Sequence, residues 1–138
     1  MRRKTALVAF LFAIATGIGV WYYVFHYSNT HRRDIANENA ITTTANQIVK
    51  DFQTNEALAN KFYLNKVIQI RGEVAQHGKD QSGNHTVTLK SDDPFSGVLC
   101  TIAKAGEPVK EHQIIVVRGI CAGFLSDVVL NEAIIIQN

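Results

Sequence analysis

From Thr5 to Phe25 the chain reads TALVAFLFAIATGIGVWYYVF, without a charge or a proline. At 1.5 Å rise per residue, a helix of this length spans roughly 30 Å, the hydrocarbon thickness of a bilayer. Arg2, Arg3 and Lys4 precede the run, and Trp21, Tyr22, Tyr23 and Tyr27 gather at its far end, where amphipathic rings favour a membrane–water interface. Two readings compete for it. One is a cleaved signal peptide, with Ala13-Ile14-Ala15 as a small-x-small cleavage site. The other is an uncleaved signal anchor. The apolar run continues past Ala15 through Val20, Trp21 and Val24, which favours the anchor. No cysteine lies near the end of the run, which argues against lipid attachment. Basic residues before the run outweigh Arg32 and Arg33 behind it, diluted by Asp34 and Glu38. That bias places the N-terminus on the cytoplasmic side and the remainder outside.

Setting this segment aside changes the charge. Residues 26–138 hold 11 basic against 12 acidic side chains, a formal charge of −1, although the full chain of 138 residues is +2. The basic excess belongs to the membrane flank, and a near-neutral domain argues against a polyanion partner.

His26 to Thr43 is polar and without strong periodicity, so residues 28–43 read as a juxtamembrane linker. Thr44 and Gln47 fit a capping box. Ala45, Ile48, Val49 and Phe52 then share one helical face, and Leu58, Ala59, Phe62 and Tyr63 resume an apolar face after Gln53-Thr54-Asn55. One helix to about Phe62 and two short helices are both compatible with this spacing.

From Lys66 the period changes to two. Ile68, Ile70, Gly72 and Val74 alternate with Gln69, Arg71 and Glu73, and the Gly-containing stretch His77–Asn84 reads as a hairpin loop. His85–Lys90 and Gly97–Ile102 follow as strands, with Val87 and Leu89, then Val98, Cys100 and Ile102, on single faces. Ala103–His112 is a short connection that Gly106 and Pro108 keep from forming a long helix. The last two strands are Gln113–Cys121, with Ile115, Val117 and Gly119 facing inward, and Asp127–Ile136. Five short strands with Gly72 and Gly119 at internal bends predict a small closed barrel, with a five-stranded sandwich fragment as the alternative.

Several of these residues carry a resemblance. Asn55-Glu56, Ala59, Lys61, Tyr63, Asn65-Lys66-Val67 and Ile70-Arg71-Gly72-Glu73-Val74 are similar to the opening of the tRNA-anticodon-binding-like OB-fold family. Val98-Leu99-Cys100, the run from Val117 to Phe124, and Asp127-Val128-Val129-Leu130 resemble its later strands. The likeness covers roughly Ala45 to Ile136. It implies an all-β domain with an added N-terminal helix, a five-stranded OB-like barrel over residues 44–138; the transmembrane helix over residues 1–27 that precedes it is read from the apolar run itself. The family resembles modules carried on bacterial membrane anchors or lipoprotein tails. Its name invites nucleic-acid binding by fold analogy only.

Candidate sites are few. In an extracytoplasmic domain Cys100 and Cys121 would form a disulfide, closing a loop that stabilises by roughly 3 kcal/mol on the chain-entropy model; the competing reading is two buried thiols. His77, His85 and His112 lack acidic or cysteine ligands at metal spacing, so no metal or other cofactor is expected. Ser126-Asp127 with a distant histidine is no triad signature, and no phosphate loop occurs, so no catalysis is expected. OB-like barrels take ligands on their second and third strands, here Thr86, Thr88 and Lys90 with the loop 77–84. Those strands bear no aromatic residue and so lack the stacking platform of single-strand nucleic-acid binders. The reading is a non-enzymatic, membrane-anchored module of the bacterial inner membrane, with its domain periplasmic and a protein or oligosaccharide as partner. The alternative is a single-stranded nucleic-acid-binding domain on the cytoplasmic side.

Overall fold

The computed structural model describes residues 2–27, 33–103 and 109–137, and falls into two compact units, Met1–Asp34 and Ile35–Asn138. The first is a helix, α1 (Arg2–Tyr22), which ends in one π-helical turn at Tyr23–Tyr27. Residues Leu7–His26 are long and apolar enough to cross a membrane, and none of them is buried. Thr16 returns its hydroxyl to the carbonyls of Phe12 (2.8 Å) and Ala13 (3.0 Å), which satisfies the one polar group in mid-helix. A helix that is apolar all round suits an apolar surround on every side.

The second unit opens with β1 (Ile41–Thr44), then α2 (Ala45–Thr54) and α3 (Glu56–Tyr63), then β2 (Val67–Lys79), β3 (His85–Leu89), β4 (Val98–Ile102), β5 (Ile114–Phe124) and β6 (Val128–Gln137). The strands pair in the order β1-β2-β3-β4-β6-β5, and β5 returns to pair with β2. That last pairing closes a five-stranded barrel with β1 added on β2, and it removes the sandwich alternative. β4 and β6 run parallel, as do β1 and β2, and the other pairs are antiparallel. The period-two pattern holds: Ile68, Ile70, Val87, Leu89, Val98, Cys100, Ile115, Val117, Cys121, Val128 and Leu130 all point into the core. Gly119 lets β5 and β6 approach closely, since a Cβ there would come within 3.1 Å of the Ala133 Cβ and the Asn131 carbonyl and the neighbours would have to give way. The β5–β6 register slips between Arg118 and Ile120 at the same place.

Thr44 caps α2, accepting the Gln47 N–H at 3.2 Å. Asn55 breaks the helical run, capping α3 by accepting the Leu58 N–H at 3.0 Å. The two-helix reading therefore holds. α2 buries Ala45, Ile48, Val49 and Phe52 across one end of the barrel. Phe52 stacks on Phe124 (5.7 Å) and leans on Tyr63 (5.9 Å). α3 departs from its reading, because it buries Ala59 and leaves Leu58 and Phe62 exposed.

Residues 35–43, read from sequence as part of the 28–43 linker, belong to the second unit. Ile35 is buried, and Ile41–Thr44 form a strand in register with Ile68–Arg71. Arg118 fastens this segment: its guanidinium donates to the carbonyls of Ile35 and Ala36 and to Gln69 Oε1 at 2.7 Å. The connection predicted over Ala103–His112 lies in part outside the described residues, at 104–108. β2 runs through Lys79, so the hairpin loop is shorter than read. Asp80 holds its turn by accepting from the backbone of Ser82 (2.8 Å) and Asn84 (2.9 Å).

Candidate binding surfaces of the barrel

Alternation along β3 that buries Val87 and Leu89 turns Thr86 and Thr88 outward and half-buries them. Antiparallel pairing sets Thr86 against Thr101 and Thr88 against Leu99. On the flanks, Gln76 of β2 is the neighbour of Thr88, and Val129 of β6 the neighbour of Leu99. Gln76, Thr86, Thr88, Leu99, Thr101 and Val129 thus form one patch across four strands, and none is charged or aromatic. Hydroxyl and amide groups beside methyls suit hydrogen bonding to neutral partners.

Lys90 ends the same row, but there β3 has ended and the chain turns away. Its backbone N–H donates to the Glu73 carbonyl at 2.8 Å. Its side chain lines a polar groove at the start of α2 with Arg71, Glu73, Asn46, Ser91 and Asp92. The structure therefore brings Thr86 and Thr88 together and assigns Lys90 to a neighbouring surface. The groove is electrostatically mixed. Glu73 bonds His112 Nδ1 at 2.9 Å, and this bond, with Lys90 nearby, holds the Glu73 carboxyl below the usual carboxylate range. Asp93 is likewise held down by the Phe95 N–H and by Gln53. Glu73 thus stays ionised beside Arg71 and Lys90 at neutral pH, and Asp93 stays ionised in the turn that follows.

Cys100 and Cys121 are free and buried. Both are cross-strand neighbours of Leu130, one on each side of β6. Two strand spacings separate their Cα atoms by roughly 9–10 Å along the sheet, beyond the ~7 Å that a disulfide bridges. The predicted bond is thus corrected: forming it would require displacing β6. Burial pushes the Cys100 thiol up to about 12 and raises Cys121 as well, so both are protonated and inert at neutral pH. Burial, then the Asp51 carboxylate 2.6 Å away, pushes the Tyr63 phenol up to about 12.

Among the described residues, no three His, Cys, Asp or Glu side chains converge. Asp127 accepts the Gly97 N–H at 2.7 Å, tying the β5–β6 turn to the β3–β4 loop. Gly97 is required at that junction, since a Cβ would fall 2.5 Å from the Leu89 carbonyl. Sequence reading missed this junction and the Arg118 clasp. Both are side-chain bonds between residues far apart in the chain, which no local pattern reports.

The sequence model described as tRNA_anti-like matches residues 1–134, so the match runs through α1 as well as the barrel. The comparison with curated proteins gave no match. Among solved structures, a Klebsiella pneumoniae lipoprotein provisionally described as nucleic acid-binding is similar at a TM-score of 0.55 and 15% identity. The alignment covers 70% of this chain and 92% of that one. At that identity the likeness concerns the fold.

Proposed function

The chain belongs to the tRNA_anti-like family, and we propose that within it this protein is a non-catalytic OB-like module, anchored in the bacterial inner membrane by α1, that binds a neutral partner, protein or oligosaccharide, outside the cytoplasm. The observation that carries this reading is the uncharged patch over β2, β3, β4 and β6, centred on Thr86 and Thr88. A single-strand binder of this fold needs stacked aromatics and a basic track on that face, and the patch offers neither. The anchor reading is supported by the unbroken α1, which runs well beyond the small-residue site at Ala13–Ala15. The orientation rests on Arg2, Arg3 and Lys4 before the span. A binding role is supported by the occupations of the reactive groups: Asp127 holds a backbone N–H, and both thiols are buried and protonated.

The competing reading, single-stranded nucleic-acid binding on the cytoplasmic side, draws on the description of the Klebsiella lipoprotein and on Arg71 and Lys90 in the polar groove. Glu73 and Asp92 stand beside those cations and offset them. Photocrosslinking decides between the two. A photoreactive residue replaces Thr88 in the full chain in its native membrane, with Lys110 as the control position. The expected result is an adduct at 88 that protease or glycosidase removes. A nuclease-sensitive adduct, or none at 88 against adducts at 110, contradicts the proposal.

A further inference from the structure

The apolar side chains that the barrel unit leaves in solvent are not spread evenly. Its exposed large hydrophobics are Leu58, Phe62, Leu64, Phe95, Ile114, Leu125 and Ile136, and the first four together with Leu125 lie at one end. Leu58 and Phe62 border a hollow of about 440 Å³ between α2 and α3. Leu64 closes α3 and reaches β5, its Cδ1 lying 3.7 Å from where a Gly123 Cβ would stand. Leu125 follows Phe124, whose ring stacks on Phe52 of α2. Phe95 sits on the β3–β4 loop, which Gln53 of α2 holds through Asp93 (3.0 Å) and which Asp127 ties to the β5–β6 turn. That loop and that turn lead into the parallel strands β4 and β6, so they share one end of the barrel by topology. Phe95 is 88% exposed and Leu125 85%, higher than any other large hydrophobic of the unit. The loops holding them are braced by side-chain bonds, so they are presented and not merely frayed.

We propose that this helical end of the barrel docks on the surface of a lipid bilayer, with Phe95 and Leu125 entering the interfacial layer and Leu58, Phe62 and Leu64 lying against it. The inference rests on the reading of α1 as a membrane anchor. The chain supplies the occupant: the apolar helical segment ends at Tyr27, and the barrel unit begins at Ile35. The seven residues between them extend at most about 25 Å. A bilayer that holds α1 is thus always within reach of a barrel roughly 25–30 Å across. Apolar patches exposed on a soluble surface mark interaction sites, and loop-tip Phe and Leu flanking a short helix suit insertion to interfacial depth. Lys50, Lys61 and Lys66 lie on the same helices and their exit, offset by Asp51, Glu56 and Asp93, so the docking rests on the apolar side chains.

The test uses the full chain in nanodiscs carrying a polarity-sensitive fluorophore on one introduced cysteine, Phe95→Cys, Leu125→Cys or Ser82→Cys. Native Cys100 and Cys121 are buried and stay unlabelled. Probes at 95 and 125 are expected to emit to the blue and to be quenched by brominated lipid, while position 82, on the hairpin at the opposite end, is not quenched. Equal, unquenched emission at all three positions in a chain that co-elutes with discs overturns the docking and leaves the anchor standing. Blue emission without quenching, together with a doubled mass, assigns the face to a second copy and also overturns it. Failure of the chain to enter discs overturns the anchor instead. The compact unit 35–138 then decides alone with anionic vesicles. Partition that drops at least about tenfold in a Phe95→Ser, Leu125→Ser double variant supports the docking, and no partition overturns it.

Discussion

α1 and the barrel draw on the same apolar residue types and place them in opposite ways. In α1 the Leu, Val, Phe and Ile side chains lie on every side of one helix, and all of those described are exposed. In the barrel they recur at every second position, and the inward set is closed off from solvent. Composition alone does not separate the two regions; period does. A continuous run has no inner face and calls for an apolar surround, whereas an alternating run builds its own. The helical end of the barrel is intermediate, because α2 buries its apolar face while α3 presents Leu58 and Phe62 outward.

That contrast predicts mutations that act on one region and spare the other. The largest effect is expected from Phe52→Ala, which removes a fully buried ring from the Tyr63–Phe52–Phe124 stack. It should cost the barrel about 3–5 kcal/mol by denaturant unfolding and leave membrane integration of the chain unchanged. Next comes Leu11→Arg in α1. A charge at mid-span disfavours insertion by about 2.5–3.5 kcal/mol, so the chain should become extractable by alkaline carbonate while the barrel keeps its unfolding midpoint. Reciprocal loss in either experiment would break the separation of the two regions.

A smaller effect tests where the barrel unit begins. Arg118→Ala removes the donors to Ile35, Ala36 and Gln69, bonds from a charged group worth about 1.5–3 kcal/mol where well formed. Hydrogen exchange should speed up through residues 35–44 and stay slow in β4 and β6. Uniform acceleration would mean that β1 is part of the cooperative core and not a strap on it. The smallest effect is alkaline. Tyr63 and Cys100 both titrate near 12 in the fold, above their ordinary 10 and 9. Raised values favour the protonated forms in the native state, so their contribution is complete below pH 9. It falls as pH rises from 9 to 12, where only the unfolded chain ionises. Tyr63→Phe should flatten the part of the decline between pH 10 and 12.

Much of this architecture is legible in the sequence. Residues 68–74, 85–90, 97–102, 113–121 and 127–136 announce strands because alternate positions are β-branched or apolar, and Thr44 announces a helix start by its hydroxyl. β1 escaped because four residues carry no period. The signal it did give was three β-branched threonines behind an isoleucine, which is propensity without pattern. The Cys100–Cys121 bond failed for a topological reason: β6 pairs between β4 and β5, a consequence of long-range order that spacing along the chain does not encode. Lys90 was grouped with Thr86 and Thr88 by parity, and parity lapses where the strand ends. Leu58 and Phe62 fall on an apolar face by spacing, and spacing does not say what lies opposite that face, which here is solvent.

The most direct test of the account concerns the nature of the partner. Residues 35–138 are titrated into labelled single-stranded oligonucleotides and followed by fluorescence anisotropy from low to physiological salt. An uncharged β3–β4 face predicts no saturable binding and no salt dependence at micromolar protein. Micromolar binding that weakens steeply with salt, and that is lost in Arg71→Ala and Lys90→Ala, would place a polyanion in the polar groove and contradict the neutral-partner reading.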